Sequence, residues 1–384
     1  MYLTYKINKK TTYEQQNLYD CILNDTVFEP QKTTSYPEYF TVKTDKLVLT
    51  NFNKSQYTYL ISKVLTLAEK ADYFLKDGID KHYSSFKIPK HNGKFRQIDA
   101  PDEELKQFLR LVKDTFQNAH IHPHNAAFAY VQQRSNKHAV EKHQQNESKW
   151  FLHLDLQDFF GNCTEEFIHK QLKQVYPFCL LYKETPKIEQ AFRTIISAAL
   201  YKGRLPQGTP LSPYLTNIIM IPIDDALYQL CKQWKKQHFV YTRYADDIDI
   251  SSRYNFNYQE LITVIKTLLA DTPLTINTSK VHYGSTAGRN WHLGLMLNQQ
   301  NNITVGYKKK RLIKQKLLNF CTNKHNWTLD DVQVFLGELA YFRNIEPEYH
   351  DYLLKDYSSR YNNDVYIIVE LRSMLVNMIR TMHA

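Results

Sequence analysis

The stretch HFVYTRYADDIDISS, residues 238–252, decides the fold class. Runs rich in Val, Tyr, Thr and Ile lie on both sides of Ala245-Asp246-Asp247, and this pattern predicts two β-strands joined by a tight hairpin. The bend of that hairpin would carry two adjacent carboxylates. Because Asp is common in turns, the pattern alone is more typical of a solvated turn than of a functional site.

A third aspartate, Asp155, changes the interpretation of the hairpin. The segment WFLHLDLQDFF, residues 150–160, has the apolar and β-favouring character of a buried strand, and Asp155 lies near the end of it. Burying an uncompensated carboxylate costs several kcal/mol, so Asp155 needs a partner. Carboxylate oxygens suit Mg²⁺, and two such ions about 3.5–4 Å apart can activate the attacking and leaving oxygens of phosphoryl transfer. Together with the hairpin aspartates, Asp155 therefore indicates a metal site.

Composition agrees with a nucleic-acid partner. The 384 residues exceed the size at which one core keeps growing, which predicts two or three packed subdomains. Lys and Arg outnumber Asp and Glu by 49 to 39, for a net charge of +10. This excess suits a polyanion, although it also serves solubility. The 28 Tyr and 20 Phe supply rings on which bases could stack.

Cysteine usage and hydropathy exclude several classes of protein. The five cysteines are odd in number and form no CxxC, so neither a zinc module nor a disulfide framework is indicated. The histidines of HIHPHNAAF, residues 120–128, have no Cys or carboxylate set that would complete a zinc site. The N-terminus lacks a signal peptide, and no run of about 18 apolar residues occurs. We expect a cytoplasmic protein without a membrane partner.

Outward from the aspartates, the chain divides into recognisable pieces. Residues 57–75 show a helical apolar pattern, and residues 86–101 read as a hairpin around Asn92-Gly93. A Pro/Gly-broken loop then feeds a helix expected to begin at Ser212-Pro213, with Ser212 as its cap. The last 75 or so residues look mainly helical.

Five motifs in order resemble those of reverse transcriptases. Tyr244-Ala245-Asp246-Asp247 matches the YxDD box, and FLHLDLQDFF (151–160) matches the strand that carries the first metal-binding Asp. LPQGTPLSPYLTN (205–217) is similar to the box that positions nucleotide and template. FRQIDAP (95–101) resembles the fingers motif, and INTSKVHYG (276–284) a later motif with a Lys. The chain thus resembles a bacterial reverse transcriptase with a palm like those of retron and group II intron enzymes.

The resemblance implies an α+β right-hand polymerase fold. It would comprise an N-terminal extension and start of the fingers (1–85), fingers and an antiparallel palm sheet flanked by helices (86–300), and a helical thumb (301–384). The implied activity is RNA-directed DNA synthesis by two-metal phosphoryl transfer. The implied cofactor is a pair of Mg²⁺ ions, with Mn²⁺ as a substitute.

The resemblance also implies roles for individual residues. Asp155 and Asp246 would bridge the two ions, with Asp247 in a less direct role. Lys280 would protonate the leaving pyrophosphate, although a solvated lysine is an alternative. Phe160 would be the steric gate that rejects a 2′ hydroxyl, with a core Phe as the alternative.

The nucleotide and the nucleic acid would be held by further polar residues. Arg96, with Lys90 or Lys94, would clamp the triphosphate, and Gln207 and Gly208 would line the nucleotide pocket. The loop that carries Arg134 would contact the template, or it could have a structural role. The basic run that follows Gly306 would contact phosphates, or it could simply be a solvent-exposed helix face. The expected nucleic-acid contacts are Arg134, Tyr244, Lys308, Lys309, Lys310 and Arg311.

The subtype is less sharply defined. We expect no RNase H, integrase or maturase extension. The retron Asn-Ala-x-x-His element is only loosely echoed by NKHAVEKH (136–143), and HLGL (292–295) replaces the retron Val-Thr-Gly element. These departures favour the broader set of defence-associated bacterial reverse transcriptases. That family implies a noncoding RNA template, a DNA product, dNTPs, a role against phage, and either a second copy or an accessory defence protein as partner.

Three alternatives remain open from the residues. One is a retron-type enzyme that makes RNA-linked single-stranded DNA. Another is a polymerase-like RNA-binding protein without catalysis, against which the complete aspartate set argues. The third is an RNA-dependent RNA polymerase, which generally carries a small or polar residue at the position of Phe160.

Overall fold

The structure is a computed structural model that describes residues 27–31, 39–43, 54–89, 93, 95–119, 121–288, 291–361 and 366–383. In these ranges the strands are β1 (Val27–Gln31), β2 (Tyr39–Lys43), β3 (Tyr83–Pro89), β4 (Phe95–Pro101), β5 (Trp150–Asp155), β6 (Val240–Tyr244), β7 (Asp247–Ser252), β8 (His282–Ser285), β9 (Trp291–His292), β10 (Leu295–Leu297) and β11 (Ile303–Thr304). The helices are α1 (Lys54–Asp77), α2 (Glu103–Asn118), α3 (Asn136–Gln145), α4 (Phe159–Asn162), α5 (Glu165–Leu172), α6 (Phe178–Leu181), α7 (Pro186–Ala198), α8 (Ser212–Ile219), α9 (Ile221–Gln233), α10 (Tyr258–Leu269), α11 (Gly306–Asn323), α12 (Leu329–Ile345), α13 (Pro347–Arg360) and α14 (Ile367–His383).

A four-stranded antiparallel sheet, which we call the palm sheet, forms the centre of the molecule. Its strand order is β6-β7-β5-β8. Leu152 and Leu154 of β5 and Ile248 and Ile250 of β7 are fully buried and share one face of their strands, because side chains alternate between the two faces with period 2. The strand ending in Asp155 and the hairpin predicted from the sequence are therefore both present.

The fingers hairpin, which we define as β3 and β4, stands beside the palm sheet. Its strands pair from Tyr83↔Pro101 to Pro89↔Phe95, and Gly93 in the connecting turn has φ 76°. A positive φ suits Gly because it has no Cβ. This is the hairpin that the sequence predicts between residues 86 and 101.

Helices cover the palm sheet. α1 buries Leu60, Val64, Leu67 and Ala71, the stripe expected from its apolar spacing, and packs against α7. The start of α8 differs from expectation, because Ser212 is its first helical residue and not the cap. Thr209 Oγ1 accepts the Ser212 N–H at 3.2 Å, so the residue three positions earlier satisfies that donor.

The last four helices, α11 to α14, which we call the thumb, form a second core. Phe320, Phe335 and Phe342 are buried there together with Val140 of α3 and Phe151 of β5. This core therefore extends across the boundary predicted at residue 300. Within the described ranges, no helix is long and apolar enough to cross a bilayer.

α3 links palm and thumb directly. The Asn136 side-chain amide donates to the Leu293 carbonyl at 3.1 Å and to the Tyr341 hydroxyl at 2.9 Å. Lys137 Nζ donates to the Asn344 carbonyl at 2.6 Å. α3, whose sequence loosely matches a retron element, is thus hydrogen-bonded to both the β9–β10 turn and α12.

Candidate active site

The hairpin between β6 and β7 brings its aspartates to the end of β5. Tyr244 pairs with Asp247, so Ala245 and Asp246 alone form the bend, and Ala245 adopts a left-handed φ of 59°. In the neighbouring ladder Asp155 pairs with Asp247. The three aspartates expected from the sequence therefore lie at one end of the palm sheet.

Backbone hydrogen bonds fix these acidic residues relative to each other. Leu156 N donates to the Asp246 carbonyl at 2.9 Å, and Asn277 N donates to the Asp155 carbonyl at 2.8 Å. The Asn277 side chain also donates to Asp155 Oδ1 at 3.3 Å. Asn277 is a site residue that we did not single out from the sequence.

Cationic side chains contact two of the three carboxylates. Lys280 Nζ lies 2.6 Å from Asp155 Oδ2, and this hydrogen bond raises the pKa of Lys280. His153 Nε2 lies 3.3 Å from Asp247 Oδ1, and its Nδ1 lies 3.0 Å from Asp249 Oδ1. Burial alone would lower the pKa of His153, but its hydrogen bonds to Asp247 and Asp249 outweigh burial and raise it to about 10.

Asp246 lies in an unfavourable electrostatic environment. Burial raises the pKa of Asp246, and the negative charges of Asp247 and Asp155 raise it further. A divalent cation would offset this concentration of negative charge, and the oxygen ligands are those that Mg²⁺ prefers. The chemistry of the donor set therefore fits a magnesium site.

The carboxylates of Asp155, Asp246 and Asp247 do not converge on one point. In the part of the chain that the structure describes, no three His, Cys, Asp or Glu side chains are arranged so that they could hold a metal as they stand. Asp155 is turned towards Lys280 and Asp247 towards His153. Asp155 and Asp246 line the adjoining cavity, whereas Asp247 does not. Asp155 and Asp246 are therefore the two of these aspartates that face the cavity, and the metal role of each stays a prediction.

An open cavity of about 330 Å³ separates the fingers hairpin from the palm sheet. Its volume lies in the ordinary range for small-ligand sites, about 300–1,000 Å³. It brings together residues that are far apart in sequence but that we expected in one site. These are Arg96, Asp155, Phe160, Gln207, Gly208, Asp246 and Lys280.

The cavity wall at position 208 requires a glycine. Gly208 has φ 130°, and a Cβ on it would lie 2.9 Å from the Asp99 carbonyl oxygen and 2.9 Å from Ile98 Cγ2. Next to it, Asp99 N donates to the Gln207 carbonyl at 2.7 Å. The segment 205–211 before α8, which we call the palm loop, and the fingers hairpin thus approach each other at van der Waals distance.

Two adjacent phenylalanines have different environments. Phe159 is buried, whereas Phe160 is half-buried, and both contribute to the cavity wall. Their rings meet edge to face with centroids 5.7 Å apart. Phe159 therefore serves as the core residue, which leaves Phe160 able to contact a bound sugar.

Several expected contacts are not among the cavity residues that the structure describes. Lys90 and Lys94 are outside the described residues, and Tyr244 is half-buried in β6, away from the cavity wall. Arg134 Nη1 donates to the carbonyls of His124, Asn125 and Ala127 at 3.2, 3.1 and 2.7 Å. These bonds support the structural alternative for Arg134.

The basic run of the thumb divides into two kinds of residue. Lys308, Lys309 and Arg311 are exposed on α11, where phosphate could reach them. Lys310 Nζ instead lies 2.5 Å from Glu346 Oε2 and is largely covered. Lys310 therefore has a structural partner already.

Comparison with known proteins identifies the family. The family model described as reverse transcriptase (RNA-dependent DNA polymerase) matches residues 88–320. The chain is 28% identical over 299 residues to the retron Ec83 reverse transcriptase of Escherichia coli, covering 74% of this chain and 90% of that protein. It is 27% identical over 277 residues to the retron Ec73 reverse transcriptase of Escherichia coli, covering 70% and 85%.

A solved structure is similar only at low level. Telomerase from Candida albicans, in complex with a fragment of telomeric RNA, has 13% identity and a TM-score of 0.42, covering 94% of this chain and 72% of that one. This likeness is too weak to carry an argument. The retron relatives support the retron type of enzyme that the two departing motifs had disfavoured. Because the family model matches well over half of the chain, the protein belongs to the reverse transcriptases and is an RNA-directed DNA polymerase with the α+β right-hand fold.

Proposed function

We propose that DNA synthesis takes place in the cavity between the fingers hairpin and the palm sheet, with Asp155 and Asp246 as ligands of two Mg²⁺ ions. The observation that carries this proposal is that both aspartates line the same cavity as Arg96, Phe160 and Gly208. Asp247 would tune the site through its charge. Mn²⁺, which accepts the same oxygen ligands, would substitute for Mg²⁺.

The chemistry follows from the side chains around the cavity. The bound ions would supply activation of the primer 3′ hydroxyl and stabilisation of the pyrophosphate. Arg96 offers a planar fork for phosphate oxygens. The hydrogen bond to Asp155 raises the pKa of Lys280, so Lys280 is protonated at neutral pH and would donate that proton to the leaving pyrophosphate. Phe160 would exclude a ribose 2′ hydroxyl.

Primer extension on an RNA template tests the metal site. Asp155→Asn and Asp246→Asn should each lower the rate of dNTP incorporation by at least about a thousandfold, because several kcal/mol of transition-state stabilisation is lost. Asp114→Asn, on the exposed face of α2, is the control and should match the wild type. Activity that survives Asp246→Asn would overturn the proposed role.

The choice of sugar tests Phe160. The wild type should use dNTPs in strong preference to NTPs, and Phe160→Val should reduce that preference by about 10- to 100-fold, because apolar contacts discriminate on that scale. The ratio of kcat/KM for dCTP and CTP measures the effect. Equal use of both by the wild type would overturn the role of Phe160 as a steric gate.

We also propose that the template is a dedicated noncoding RNA and that the product acts in defence against phage. The net charge of +10 and the exposed basic residues of α11 support a nucleic-acid template, and the defence role is proposed from the likeness to retron reverse transcriptases. The same relatives favour the retron-type variant, in which the DNA product is joined to RNA. A second copy of the chain or an accessory defence protein would complete the system in the cytoplasm.

Purification from the host tests this part. Sequencing of the nucleic acid that accompanies the chain should return one RNA species and DNA complementary to part of it. The Asp246→Asn variant should retain the RNA and lack the DNA. DNA that shifts in size on RNase treatment would indicate the RNA-linked product. A mixture of unrelated cellular RNAs would overturn the dedicated template.

A further inference from the structure

A fully buried arginine lies beneath the bend formed by Ala245 and Asp246, which we call the catalytic turn because of the proposed role of Asp246. Arg243 of β6 has 0% exposure and is among the largest completely buried side chains of the described residues. Its Nε and Nη2 each lie 2.7 Å from an oxygen of Asp224, which is itself fully buried on α9. The Tyr241 hydroxyl donates to Asp224 Oδ1 at 2.6 Å. We call Tyr241, Asp224 and Arg243 the buried cluster.

The guanidinium also has a third contact, outside the ion pair. Arg243 Nη1 donates to the Ala245 carbonyl at 3.0 Å. This carbonyl belongs to the peptide group that joins Ala245 to Asp246. The next carbonyl, that of Asp246, accepts from Leu156 N at 2.9 Å. The peptide groups on both sides of Asp246 are therefore hydrogen-bonded, one to the buried cluster and one to the residue after Asp155.

From this arrangement we propose that Arg243 is a positioning residue for the metal site, which holds the Ala245 carbonyl so that the Asp246 carboxylate keeps a fixed place relative to Asp155. The inference rests on the proposed metal role of these two aspartates. It adds a residue outside the cavity whose contact with the site is through the backbone of the turn.

The side-chain chemistry explains why an arginine is needed. A guanidinium has five N–H donors in a rigid fork, so it can bind both oxygens of Asp224 and still donate to a carbonyl. A lysine has a single nitrogen and cannot span both partners with the same geometry. The left-handed φ of Ala245 makes the turn sensitive to this contact, because residues other than Gly rarely adopt that conformation.

A purely structural role is the competing explanation. Buried ion pairs contribute little net stability compared with apolar residues of similar volume, so stability alone is a weak reason for this cluster. The two roles also predict different results. If the role of Arg243 is only structural, its replacement lowers the melting temperature but leaves the folded protein with normal metal affinity. If Arg243 is a positioning residue, its replacement weakens metal binding in the folded protein.

Direct measurement of Mn²⁺ binding separates the roles. The probe is Mn²⁺ alone, added to the full chain, with the free ion followed by electron paramagnetic resonance. Arg243→Lys should weaken binding by about 10- to 100-fold, the usual cost of losing a residue that orients metal ligands. Tyr241→Phe removes a bond within the same cluster but keeps the contact with Ala245. It is the matched control and should bind within about twofold of the wild type.

A second variant guards against simple misfolding. The triple change Asp224→Leu, Tyr241→Phe and Arg243→Met replaces the whole cluster with apolar residues, which buried ion pairs often tolerate. It should fold, with a circular dichroism spectrum like that of the wild type, and should still bind Mn²⁺ about 10-fold or more weakly. A folded triple variant with wild-type affinity would overturn the positioning role.

The same assay distinguishes this inference from the proposed function. Asp246→Asn should weaken Mn²⁺ binding at least as much as Arg243→Lys does. If Asp246→Asn leaves the affinity unchanged, the metal site itself is wrong. If Asp246→Asn weakens binding and neither Arg243 variant does, the metal site stands and only the role of Arg243 fails.

Discussion

The catalytic turn and the fingers hairpin form the two sides of one cavity, but they are built differently. At the turn, both peptide groups next to Asp246 are hydrogen-bonded, and a fully buried arginine lies beneath them. In the hairpin, residues 84–89 of β3 are all exposed, and Asp99 N bonds to the Gln207 carbonyl of the palm loop. The comparison indicates a turn that is held by hydrogen bonds on both sides of Asp246 and a hairpin with little packing, which we expect to move more readily.

Among the substitutions that test this comparison, Gly208→Ala should have the largest effect on kcat/KM for dNTPs. The added Cβ would lie 2.9 Å from the Asp99 carbonyl oxygen, so the hairpin must move away from the palm. A displacement near 1 Å can cost about 100-fold in rate, and we expect that loss in kcat/KM for dNTPs. Steady-state primer extension measures it.

Gly203→Ala is the matched control for Gly208→Ala. Gly203 also has a positive φ, 72°, but nothing lies within 4 Å of a Cβ there. The Gly203→Ala variant would have strain from a positive φ but no clash, so it should keep most of the wild-type activity. Equal losses in both variants would mean that strain, and not the approach of hairpin to palm, explains the effect.

Removal of Arg96 should have the next largest effect. Charge-assisted hydrogen bonds to phosphate contribute about 1.5–3 kcal/mol, so Arg96→Ala should raise the KM for dNTPs by about 10- to 100-fold. The melting temperature should not change, because Arg96 is exposed. Lys87→Ala is the control, since Lys87 pairs with Gln97 and its side chain lies on the opposite face of the hairpin. A similar rise in KM for Lys87→Ala would point to general attraction by positive charge.

The thumb repeats the contrast between held and exposed groups within one helix. Lys310 pairs with Glu346, whose other oxygen accepts from Thr304 Oγ1 at 2.7 Å and Val305 N at 2.9 Å. Lys310→Ala should therefore lower the melting temperature. Lys308→Ala should instead leave stability unchanged and reduce the salt dependence of duplex binding by about one phosphate contact. Titrations of primer–template binding against salt concentration measure the slope, and reversed outcomes would contradict the assignment.

The smallest effect concerns the stability of the turn itself. Since the pKa of Asp246 is raised, the folded protein disfavours the ionised form, and this destabilisation is complete above the raised pKa. Asp246→Asn in EDTA at neutral pH should raise the melting temperature by about 1–3 °C. The difference should shrink as the pH falls through the raised pKa towards the ordinary Asp pKa, because Asp246 then becomes neutral. Asp114→Asn should show no rise at either pH, and a drop for Asp246→Asn would contradict the electrostatic argument.

The elements of the fold could be predicted because their signals are local. The stripe of α1, the fingers hairpin and the two strands around Ala245 follow from residue spacing and turn chemistry. The predicted cap of α8 was wrong, because Leu211 occupies the cap position without a side-chain hydrogen bond and Thr209 Oγ1 binds the Ser212 N–H from outside the helix.

Parts of the site escaped prediction because they depend on pairings across the sheet. Once Asp155 is set opposite Asp247, the register also sets His153 opposite Asp249, and the alternation of β5 could have revealed this pair. Arg243 carried a signal too, since a charged residue inside an apolar strand requires a buried partner. Its partner Asp224 could not be chosen from sequence, because nothing local relates α9 to β6.

The position of β5 in the palm sheet has a consequence for synthesis of the protein. β5 is made long before β7 and β8, its two neighbours in the sheet. While the ribosome extends the chain, both edges of β5 stay unpaired, and such edges invite association with other chains. Asp155 cannot meet Asp247 until residue 247 has emerged, and it cannot meet Asn277 and Lys280 until residue 280 has emerged. The nascent protein can therefore complete its fingers early, but it gains the means to copy a template only late in translation.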